Sequence, residues 1–414
     1  MLLTIVAAGT RGDVQPFASL GSALVDRGHA VRLATHARFG SLVASYGLDF
    51  AELPGDPRSV LEHPRWGGVS RWRPFSHGKD LDAVMQSLLS EISREDYRRV
   101  CGGADAVVFT LTTATAKYVA DDLGLPSACA TYLPFTRTRA FPHPIVASGL
   151  RFGAIGNQLS YAVGERAMRT PFQEPLKPST RRSKGLTLLP MGPAEPWPPF
   201  PVVYGYSPSM VPRPSDWPSH VHVTGLWDER GKQGALSDEI EEFLETGAPP
   251  LFIGFGSMRG RKSDGLSDAV LSALRRTGQR AIVQRGWAEL GSNQRDEGQI
   301  LAVDEVSHAA LFPRVSAAVH HGGAGTTGAS LRAGLPTLVV PFVFDQFFWG
   351  ERVAALGAGP RPIPHYRLKP RNLARALQQL EDPVVRRRAS SLGHAMRAER
   401  GEERAAELLD AAFR

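Results

Sequence analysis

Short apolar runs alternate along the first half of the chain with segments whose apolar residues repeat at helical spacing. The first helical segment places Phe17, Leu20 and Leu24 on one face, and Gly28 is expected at its end. Such alternation predicts a mainly parallel sheet with helices on both faces. In this half the predicted strands are residues 3–8, 30–34, 106–110 and 127–131, and the predicted helices are residues 16–27 and 116–123.

A proline-rich stretch interrupts this pattern between residues 189 and 227. Ten prolines break any long element there, and short strands are expected only at residues 202–204 and 221–224. Residues 225–249 are predicted to connect two domains, with one short helix at residues 238–245. The chain therefore divides into two halves.

The second half repeats the alternation of strands and helices and ends in a highly charged helical tail. We therefore expect an α/β protein with two Rossmann-like, doubly wound parallel-sheet domains. Such sheets bind ligands at the carboxyl ends of their strands, which predicts a central cleft between the domains. The predicted strands are residues 251–255, 281–285, 317–320 and 337–340, and the predicted helices are residues 267–276 and 325–333. The expected boundaries are residues 1–225, a linker at 226–248, residues 249–384 and C-terminal helices at 385–414.

The composition is that of an ordinary globular protein, with 42% hydrophobic and 21% charged residues among 414. The net charge of +7 suits small anionic ligands at least as well as nucleic acid, and no nucleic-acid-binding motif is visible. Cys101 and Cys129 are too few for a disulfide framework or a metal site, which favours the cytoplasm. We expect no signal peptide, and no apolar run reaches the ~18 residues that span a bilayer.

The strongest local signal is the run His-His-Gly-Gly-Ala-Gly-Thr-Thr at residues 320–327, which follows an apolar strand and opens a helix. Small residues let a ligand approach the backbone, and free N–H groups at a helix start attract an anion. The hydroxyls of Thr326 and Thr327 and a histidine before the turn add hydrogen-bond donors. These features predict a site for a diphosphate held without a metal. A tight turn with a packed histidine is the alternative interpretation.

The same turn contains the literal pattern GxGxxG at residues 323–328, with Asp345 ~20 residues further on, as in a dinucleotide-binding fingerprint. That interpretation predicts an oxidoreductase in which Asp345 ends a strand and binds a ribose. Asp345 instead follows Pro341 closely and precedes Gln346 in a run that enters a new helix. This placement favours recognition of sugar hydroxyls by Asp345 and Gln346. No such glycine pattern follows the first strand of either half.

With its surroundings, this turn resembles the donor-binding box of family 1 glycosyltransferases, which have the GT-B fold of two Rossmann-like domains. The opening Gly-Thr-Arg-Gly-Asp-Val-Gln-Pro at residues 9–16 is similar to that of one branch, which contains bacterial and fungal sterol glucosyltransferases and antibiotic-tailoring glycosyltransferases. The resemblance is weakest at residues 55–81 and 135–187, where acceptor-binding segments are expected. Its other motifs are Gly-Phe-Gly-Ser-Met at 254–258, Gln-Arg-Gly-Trp at 284–287, Leu-Arg-Ala-Gly-Leu-Pro at 331–336, Val-Pro-Phe at 340–342, Asp-Gln at 345–346 and Phe-Phe-Trp-Gly at 347–350.

The resemblance implies an inverting, metal-independent transfer of a sugar from a UDP- or dTDP-sugar to a hydroxyl of a lipophilic acceptor, such as a polyketide or a sterol. Asp13 is implied as the general base, and an aspartate that only caps the following helix is the alternative. No cofactor or metal is expected beyond the nucleotide-sugar co-substrate. The implied donor contacts are Ser257, Trp287, Val306, His321, Gly323, Gly325 and Thr326 for the nucleotide and phosphates and Asp345 and Gln346 for the sugar, with Thr10, Arg11 and His320 as further candidates.

The acceptor side of the expected site is less specified by the sequence. Residues 64–75 mix aromatic and basic side chains, which fits an acceptor mouth, contact with a membrane surface or an ordinary loop. Ser307 stands where similar sequences often have proline, which predicts an altered turn before the next helix. The resemblance also implies a last helix that crosses back onto the N-terminal domain. A catalytically silent nucleotide-sugar-binding protein that serves a partner enzyme is the alternative function.

Overall fold

The computed structural model contains two β-sheets whose strand pairs are all parallel in the described part of the chain. The α/β class with two parallel-sheet units, expected from the sequence, is therefore confirmed. The structure describes residues 1–56, 91–146, 153–173, 200–227, 235–256, 264–284, 298–304 and 306–414.

The first sheet belongs to the N-terminal half. Its strands are Leu2–Val6 (β1), Ala30–His36 (β2), Asp49–Leu53 (β3), Ala106–Phe109 (β4), Ser127–Thr131 (β5), Val202–Tyr204 (β6) and Val221–Val223 (β7). They are ordered β3-β2-β1-β4-β5-β6-β7, so the chain winds outward from β1 in both directions. In such a sheet the loops after the central strands meet at one edge, where ligands bind.

Helices cover both faces of this sheet. They are Arg11–Val25 (α1), Gly40–Ser45 (α2), Arg94–Cys101 (α3), Thr115–Asp122 (α4) and Gly153–Gln173 (α5). Leu3 and Ile5 of β1 share a buried core with Phe17 of α1, whereas Val6 of β1 shares another with Val119 of α4. Successive side chains of a strand point to opposite faces, so one apolar strand supplies both cores.

The first helix begins earlier than the sequence pattern predicted. The expected start at Pro16 is wrong, because α1 begins at Arg11, has Thr10 as its N-cap and contains Pro16. Proline in a helix leaves the carbonyl four residues earlier without its partner. Here that carbonyl belongs to Gly12, which is exposed to solvent. The consequence is that Asp13 lies in the first turn of a helix and not in a loop.

The second sheet belongs to the C-terminal half. Its strands are Leu251–Gly254 (β8), Ala281–Gln284 (β9), Ile300–Val303 (β10), Ala317–His320 (β11) and Thr337–Val339 (β12). They are ordered β10-β9-β8-β11-β12. The helices of this half are Asp238–Glu245 (α6), Asp264–Thr277 (α7), His308–Leu311 (α8), Ala324–Arg332 (α9), Gln346–Leu356 (α10), Pro370–Leu380 (α11), Pro383–Arg397 (α12) and Gly401–Phe413 (α13). Strand β11 lies inside the sheet between β8 and β12, so its carboxyl end and the start of α9 stand at the ligand-binding edge.

The two halves are joined by aromatic packing and by hydrogen bonds. The ring centroids of Tyr206 and Trp349 lie 6.0 Å apart. The guanidinium of Arg352 on α10 donates to the carbonyl of Met210 at 2.6 and 3.1 Å. These contacts hold the start of α10 against the N-terminal half.

The last helix packs on α1 of the N-terminal half. Asp410 on α13 accepts a hydrogen bond from Arg27 at 3.1 Å and lies 3.1 Å from the ring nitrogen Nε2 of His29. Although burial opposes it, the hydrogen bonds from Arg414 and Arg27 hold the pKa of Asp410 below its ordinary value. The domain boundaries expected from the sequence stay predictions. Within the described residues, no helix is both long and apolar enough to cross a membrane.

Candidate functional site

The carboxylate of Asp13 lies just beyond the carboxyl end of β1. Its Oδ2 accepts hydrogen bonds from the backbone N–H of Thr10 at 2.7 Å and from the Thr10 hydroxyl at 2.9 Å. A Cβ at Gly9, whose φ is 142°, would lie 2.5 Å from that oxygen, so the carboxylate position requires glycine there. Helix capping, the alternative role considered for Asp13, is therefore present in the structure, but it occupies only one carboxylate oxygen.

The other oxygen of Asp13 has a partner that the sequence did not reveal. Tyr132, the residue after β5, donates its phenol hydrogen to Oδ1 of Asp13. Burial and the neighbouring charges of Asp13 and Asp345 hold the pKa of Tyr132 well above its ordinary value, so the phenol stays protonated and donates. The only sequence signal for Tyr132 was its place at the carboxyl end of a predicted central strand.

A buried histidine fixes the loop that carries Gly9. His36, at the end of β2, accepts the Gly9 N–H at Nε2 over 3.3 Å. Its Nδ1 lies 3.0 Å from the Pro54 carbonyl, so Nδ1 carries the hydrogen. Burial lowers the pKa of His36, in keeping with this neutral form. These contacts give His36 a structural role.

The start of α9 faces the same cleft from the C-terminal half. Gly323 is the N-cap of α9, and its carbonyl accepts both the N–H and the hydroxyl of Thr327 at 2.9 Å. Thr327 is thus buried and engaged within the helix, which makes its expected use as a ligand donor wrong. Thr326 is half-buried and Gly325 is exposed, and among the described residues no atom lies within 4 Å of a Cβ added at Gly325. The first N–H groups of an α-helix have no partner within the helix, so they are available to a ligand here.

The two histidines before α9 have different environments. His320 is fully buried, accepts the Gly322 N–H at Nδ1 over 3.0 Å and lies 3.2 Å from the Ser330 hydroxyl through Nε2. Burial and the neighbouring histidines hold its pKa well below the ordinary value, so it is neutral, with the hydrogen on Nε2. His320 therefore shapes the turn, which is the packed-histidine interpretation for this residue.

The ring of His321 stands in a cradle of glycines. A Cβ at Gly323 would lie 2.6 Å from its Nε2, and one at Gly256 would lie 3.3 Å from its Cε1. Its Nδ1 is buried and has no partner among the described residues. Burial, with a contribution from His308, lowers the pKa of His321 to about 4, so the ring is neutral near pH 7. A neutral imidazole offers one hydrogen-bond donor and one acceptor to a ligand.

Asp345 is the N-cap of α10, and β12 ends before it at Val339. The dinucleotide interpretation required Asp345 to end a strand, and the structure contradicts this. Oδ2 of Asp345 accepts the indole N–H of Trp349 at 2.8 Å. Burial raises the pKa of Asp345 to about 7; the charge of Asp13 adds to this, and the bond from Trp349 opposes it. Asp345 therefore lies within electrostatic reach of Asp13, which belongs to the other half.

Gln346 is engaged differently from the expectation. Its Oε1 accepts the N–H groups of Phe342 and Val343 at 2.8 and 3.1 Å, so this oxygen closes the preceding loop. Phe344 in that loop has a φ of 52°, a left-handed conformation that costs a bulky residue on the order of 1–2 kcal/mol. The side-chain carbonyl of Gln346 was expected to accept hydrogen bonds from sugar hydroxyls. In this conformation it is occupied by the two backbone N–H groups instead.

The remaining predicted residues fall into three groups. Thr10 and Arg11 are exposed at the start of α1, where Arg11 donates to Gln15 at 2.7 Å. Val306 is partly buried, and Ser307 N-caps α8, so the change from proline is absorbed by a capping hydrogen bond. Ser257, Trp287 and the segment 64–75 lie outside the described residues.

Comparison with known proteins finds a matching family for each half of the chain. Residues 3–142 match the glycosyltransferase family 28 N-terminal domain, and residues 289–410 match the C-terminal domain of erythromycin biosynthesis protein CIII-like proteins. A sterol 3-beta-glucosyltransferase of Arabidopsis thaliana is 35% identical over 410 residues, which are 96% of this chain and 66% of the relative. One of Yarrowia lipolytica is 33% identical over 418 residues, which are 97% of this chain and 28% of the relative. The chain thus spans less than two thirds of the length of these relatives.

Solved structures match the whole chain in fold. A Streptomyces glycosyltransferase complexed with thymidine diphosphate superposes with a TM-score of 0.64 at 20% identity and covers 99% of both chains. The glycosyltransferase of kitacinnamycin gives 0.69 at 18% identity and covers 100% of this chain and 99% of its own. The chain thus carries a glycosyltransferase family 28 N-terminal domain, is similar along nearly its whole length to named sterol 3-beta-glucosyltransferases, and has the fold of the solved GT-B glycosyltransferases.

Proposed function

We propose that this chain is an inverting, metal-independent glycosyltransferase that moves a sugar from a UDP- or dTDP-sugar to a hydroxyl of a lipophilic acceptor. The observation that carries the proposal is the carboxylate of Asp13, held by Thr10 and Tyr132 at the start of α1. Asp345 of the other half lies within electrostatic reach of it, because the charge of Asp13 contributes to the raised pKa of Asp345.

In the proposed reaction, Asp13 takes the proton of the acceptor hydroxyl at Oδ1. The hydroxyl oxygen forms a bond to the anomeric carbon of the sugar from the face opposite the diphosphate. The bond between that carbon and the diphosphate oxygen breaks, and its electron pair stays on the diphosphate. One displacement of this kind inverts the configuration of the anomeric carbon.

The leaving diphosphate is proposed to bind at the start of α9. The amides of the first turn and the helix dipole stabilise negative charge there. The neutral ring of His321, held between two glycines and with no partner for Nδ1 in the described part of the chain, supplies a further polar contact. Asp345 is proposed to bind hydroxyls of the donor sugar, and the amide group of Gln346 to contribute through its nitrogen.

The proposed acceptor is lipophilic and sterol-like, with polyketide natural products as the other class. The names of the sequence relatives support a sterol, and those of the structural neighbours support antibiotic scaffolds. The free thiols Cys101 and Cys129 are buried, which fits the reducing cytoplasm proposed as the location. Contact with a membrane surface stays a prediction.

The two alternative functions require other placements of these carboxylates. A silent nucleotide-sugar-binding protein has no use for a carboxylate that meets the acceptor, whereas Asp13 is held with one oxygen toward the cleft. An NAD-dependent oxidoreductase requires a ribose-binding carboxylate at the end of a strand, and Asp345 caps a helix instead. Both observations favour the transferase.

The test uses the full chain with UDP-glucose or dTDP-glucose, a sterol or a macrolide aglycone, and EDTA. Formation of a glycosylated product by mass spectrometry, with release of the nucleoside diphosphate, supports the proposal. Thermal stabilisation by UDP or dTDP without any product or nucleotide release supports the silent binding protein. Stabilisation by NAD⁺ and by neither nucleoside diphosphate contradicts the transferase.

A further inference from the structure

The carboxylate of Asp13 has little acceptor capacity left. An ionised carboxylate offers about four lone-pair sites, two on each oxygen. Both sites of Oδ2 are taken by the N–H and the hydroxyl of Thr10. One site of Oδ1 is taken by the phenol of Tyr132. A single lone pair of Oδ1 therefore remains for a proton that arrives from a substrate.

We propose that Tyr132 is a positioning residue, which fixes Asp13 so that this remaining lone pair of Oδ1 points to the acceptor hydroxyl. The inference rests on the proposed function and assigns the reacting oxygen within that site. Tyr132 acts through Asp13 and transfers no proton itself. Its hydroxyl donates to Asp13 and keeps its own lone pairs for a hydroxyl of the bound substrates.

The bond from Tyr132 is not needed for helix capping. The cap of α1 is complete through Oδ2 of Asp13 and Thr10, and Tyr132 contacts the other oxygen from a different element. The Thr10 bonds hold Oδ2 only. A donor on Oδ1, fixed from another strand, holds the second oxygen as well, which is what a base aimed at one hydroxyl requires.

The backbone before Tyr132 is rigid. Strand β5 lies inside the sheet between β4 and β6, with all of its residues buried. The side chain of Tyr132 packs against the core that also contains Phe17 of α1. The phenol is thus held by the same core that supports the helix carrying Asp13, so the distance between them is set by packing.

Tyr132 also lies toward the donor half. Within the described residues, the charged groups that act on it are Asp13 of α1 and Asp345 of α10. Both disfavour loss of the phenol proton. The three side chains come from three elements and two halves, and their convergence marks where the acceptor hydroxyl, the sugar and the base meet.

The test compares Tyr132→Phe with the wild type and with Tyr366→Phe, which removes the same hydroxyl from an exposed tyrosine far from Asp13 along the chain. The readouts are kcat and KM for UDP-glucose or dTDP-glucose, the pH profile of kcat/KM, and release of nucleoside diphosphate by water alone. Phenylalanine keeps the ring and its packing, and melting temperatures check the fold.

We expect Tyr132→Phe to lower kcat on the order of 10- to 100-fold, with little change in the KM of the donor. A hydrogen bond to a carboxylate favours its ionised form, so loss of the phenol moves the acid limb of the profile to higher pH. Tyr366→Phe changes neither quantity.

An active wild type with an equally active Tyr132→Phe variant and an unmoved acid limb overturns the positioning role and leaves the proposed function standing. A wild type that binds UDP or dTDP but neither transfers nor hydrolyses the sugar overturns the proposed function and this inference with it. The two failures are therefore distinguishable in one set of assays.

Discussion

The carboxyl group of Asp345, at the start of α10, responds to the charge of Asp13 in the other half of the molecule. Burial is the largest reason why the pKa of Asp345 rises to about 7, and the charge of Asp13 adds to it against the hydrogen bond from Trp349. At neutral pH this carboxyl group is therefore partly protonated in the free protein. The titration of Asp345 therefore affects the stability of the protein as well as the charge of the site.

Replacement of Asp345 by asparagine is expected to stabilise the protein more as the pH rises. The folded protein releases the proton near pH 7, whereas the unfolded chain releases it near the ordinary value of ~3.9. Between these values the folded state binds more protons, so wild-type stability falls as the pH rises through this window and the cost is full above it. The gain of Asp345→Asn at pH 8 is on the order of 1–4 kcal/mol.

Urea unfolding at pH 5 and pH 8 measures this gain. Asp382→Asn is the control, because Asp382 is also a helix N-cap but is exposed, and asparagine caps equally well. A gain for Asp345→Asn that is the same at both pH values would show that the carboxyl group titrates at its ordinary pH.

Gly325→Ala is expected to weaken nucleotide binding without destabilising the fold. No atom of the described part of the chain lies within 4 Å of the added Cβ, so the methyl group is expected to meet a ligand that approaches the backbone. Alanine in a helix is favoured over glycine by roughly 0.5–1 kcal/mol, so the melting temperature does not fall. We expect the affinity for UDP and dTDP to fall at least about 10-fold, which costs ~1.4 kcal/mol of binding free energy.

Gly265→Ala is the matched control, since Gly265 is also helical and also has open space at its Cβ. Calorimetric titration with UDP and dTDP measures both variants. Equal affinity of Gly325→Ala, Gly265→Ala and the wild type would mean that the diphosphate does not approach the start of α9.

The parts of the site that the sequence predicted are those encoded by consecutive residues. The turn at 320–327 combines a strand end, glycines and a helix start, and the chain folds there as the pattern indicates. The opening at 9–16 has the same parts, although its helix begins at Arg11 and not at Pro16. Strands such as Ser127–Thr131 were found because all of their residues are buried and apolar or small. Strands β3 and β10 were missed because most of their residues are only partly buried or exposed, which weakens the pattern.

The contacts that the sequence could not predict join residues that are distant along the chain. Tyr132 meets Asp13 only because β5 and β1 belong to one sheet with their carboxyl ends at one edge. The engagement of Gln346 follows from a loop that folds back at Phe344 with a positive φ, which nothing in a phenylalanine indicates. The early start of α1 was missed because the pattern treats Pro16 as a first helical position.

The adjacent histidines are expected to respond in opposite ways to replacement by leucine. His320→Leu leaves the buried N–H of Gly322 without its acceptor, which costs about 1–3 kcal/mol of stability. His321→Leu removes a buried nitrogen that has no partner among the described residues, so stability is unchanged or slightly higher.

Thermal unfolding with and without UDP or dTDP checks both variants. His320→Leu lowers the melting temperature of the free protein, and His321→Leu lowers only the shift caused by the nucleotide. A normal nucleotide shift in His321→Leu would exclude this ring from the diphosphate site. The two variants control each other, because they make the same substitution at neighbouring positions.

The most direct test of the account is transfer by Asp13→Asn. Asparagine keeps one oxygen, which can accept the Thr10 bonds, and places an NH2 group toward Tyr132, which can donate to the phenol oxygen; it does not take up a proton. We expect UDP or dTDP to bind as in the wild type and turnover to fall on the order of 10²- to 10⁴-fold, the usual contribution of a general base. Asp26→Asn, at the other end of the same helix, is the control. Transfer by Asp13→Asn at nearly the wild-type rate would contradict the assignment of Asp13 as the base and, with it, the proposed mechanism.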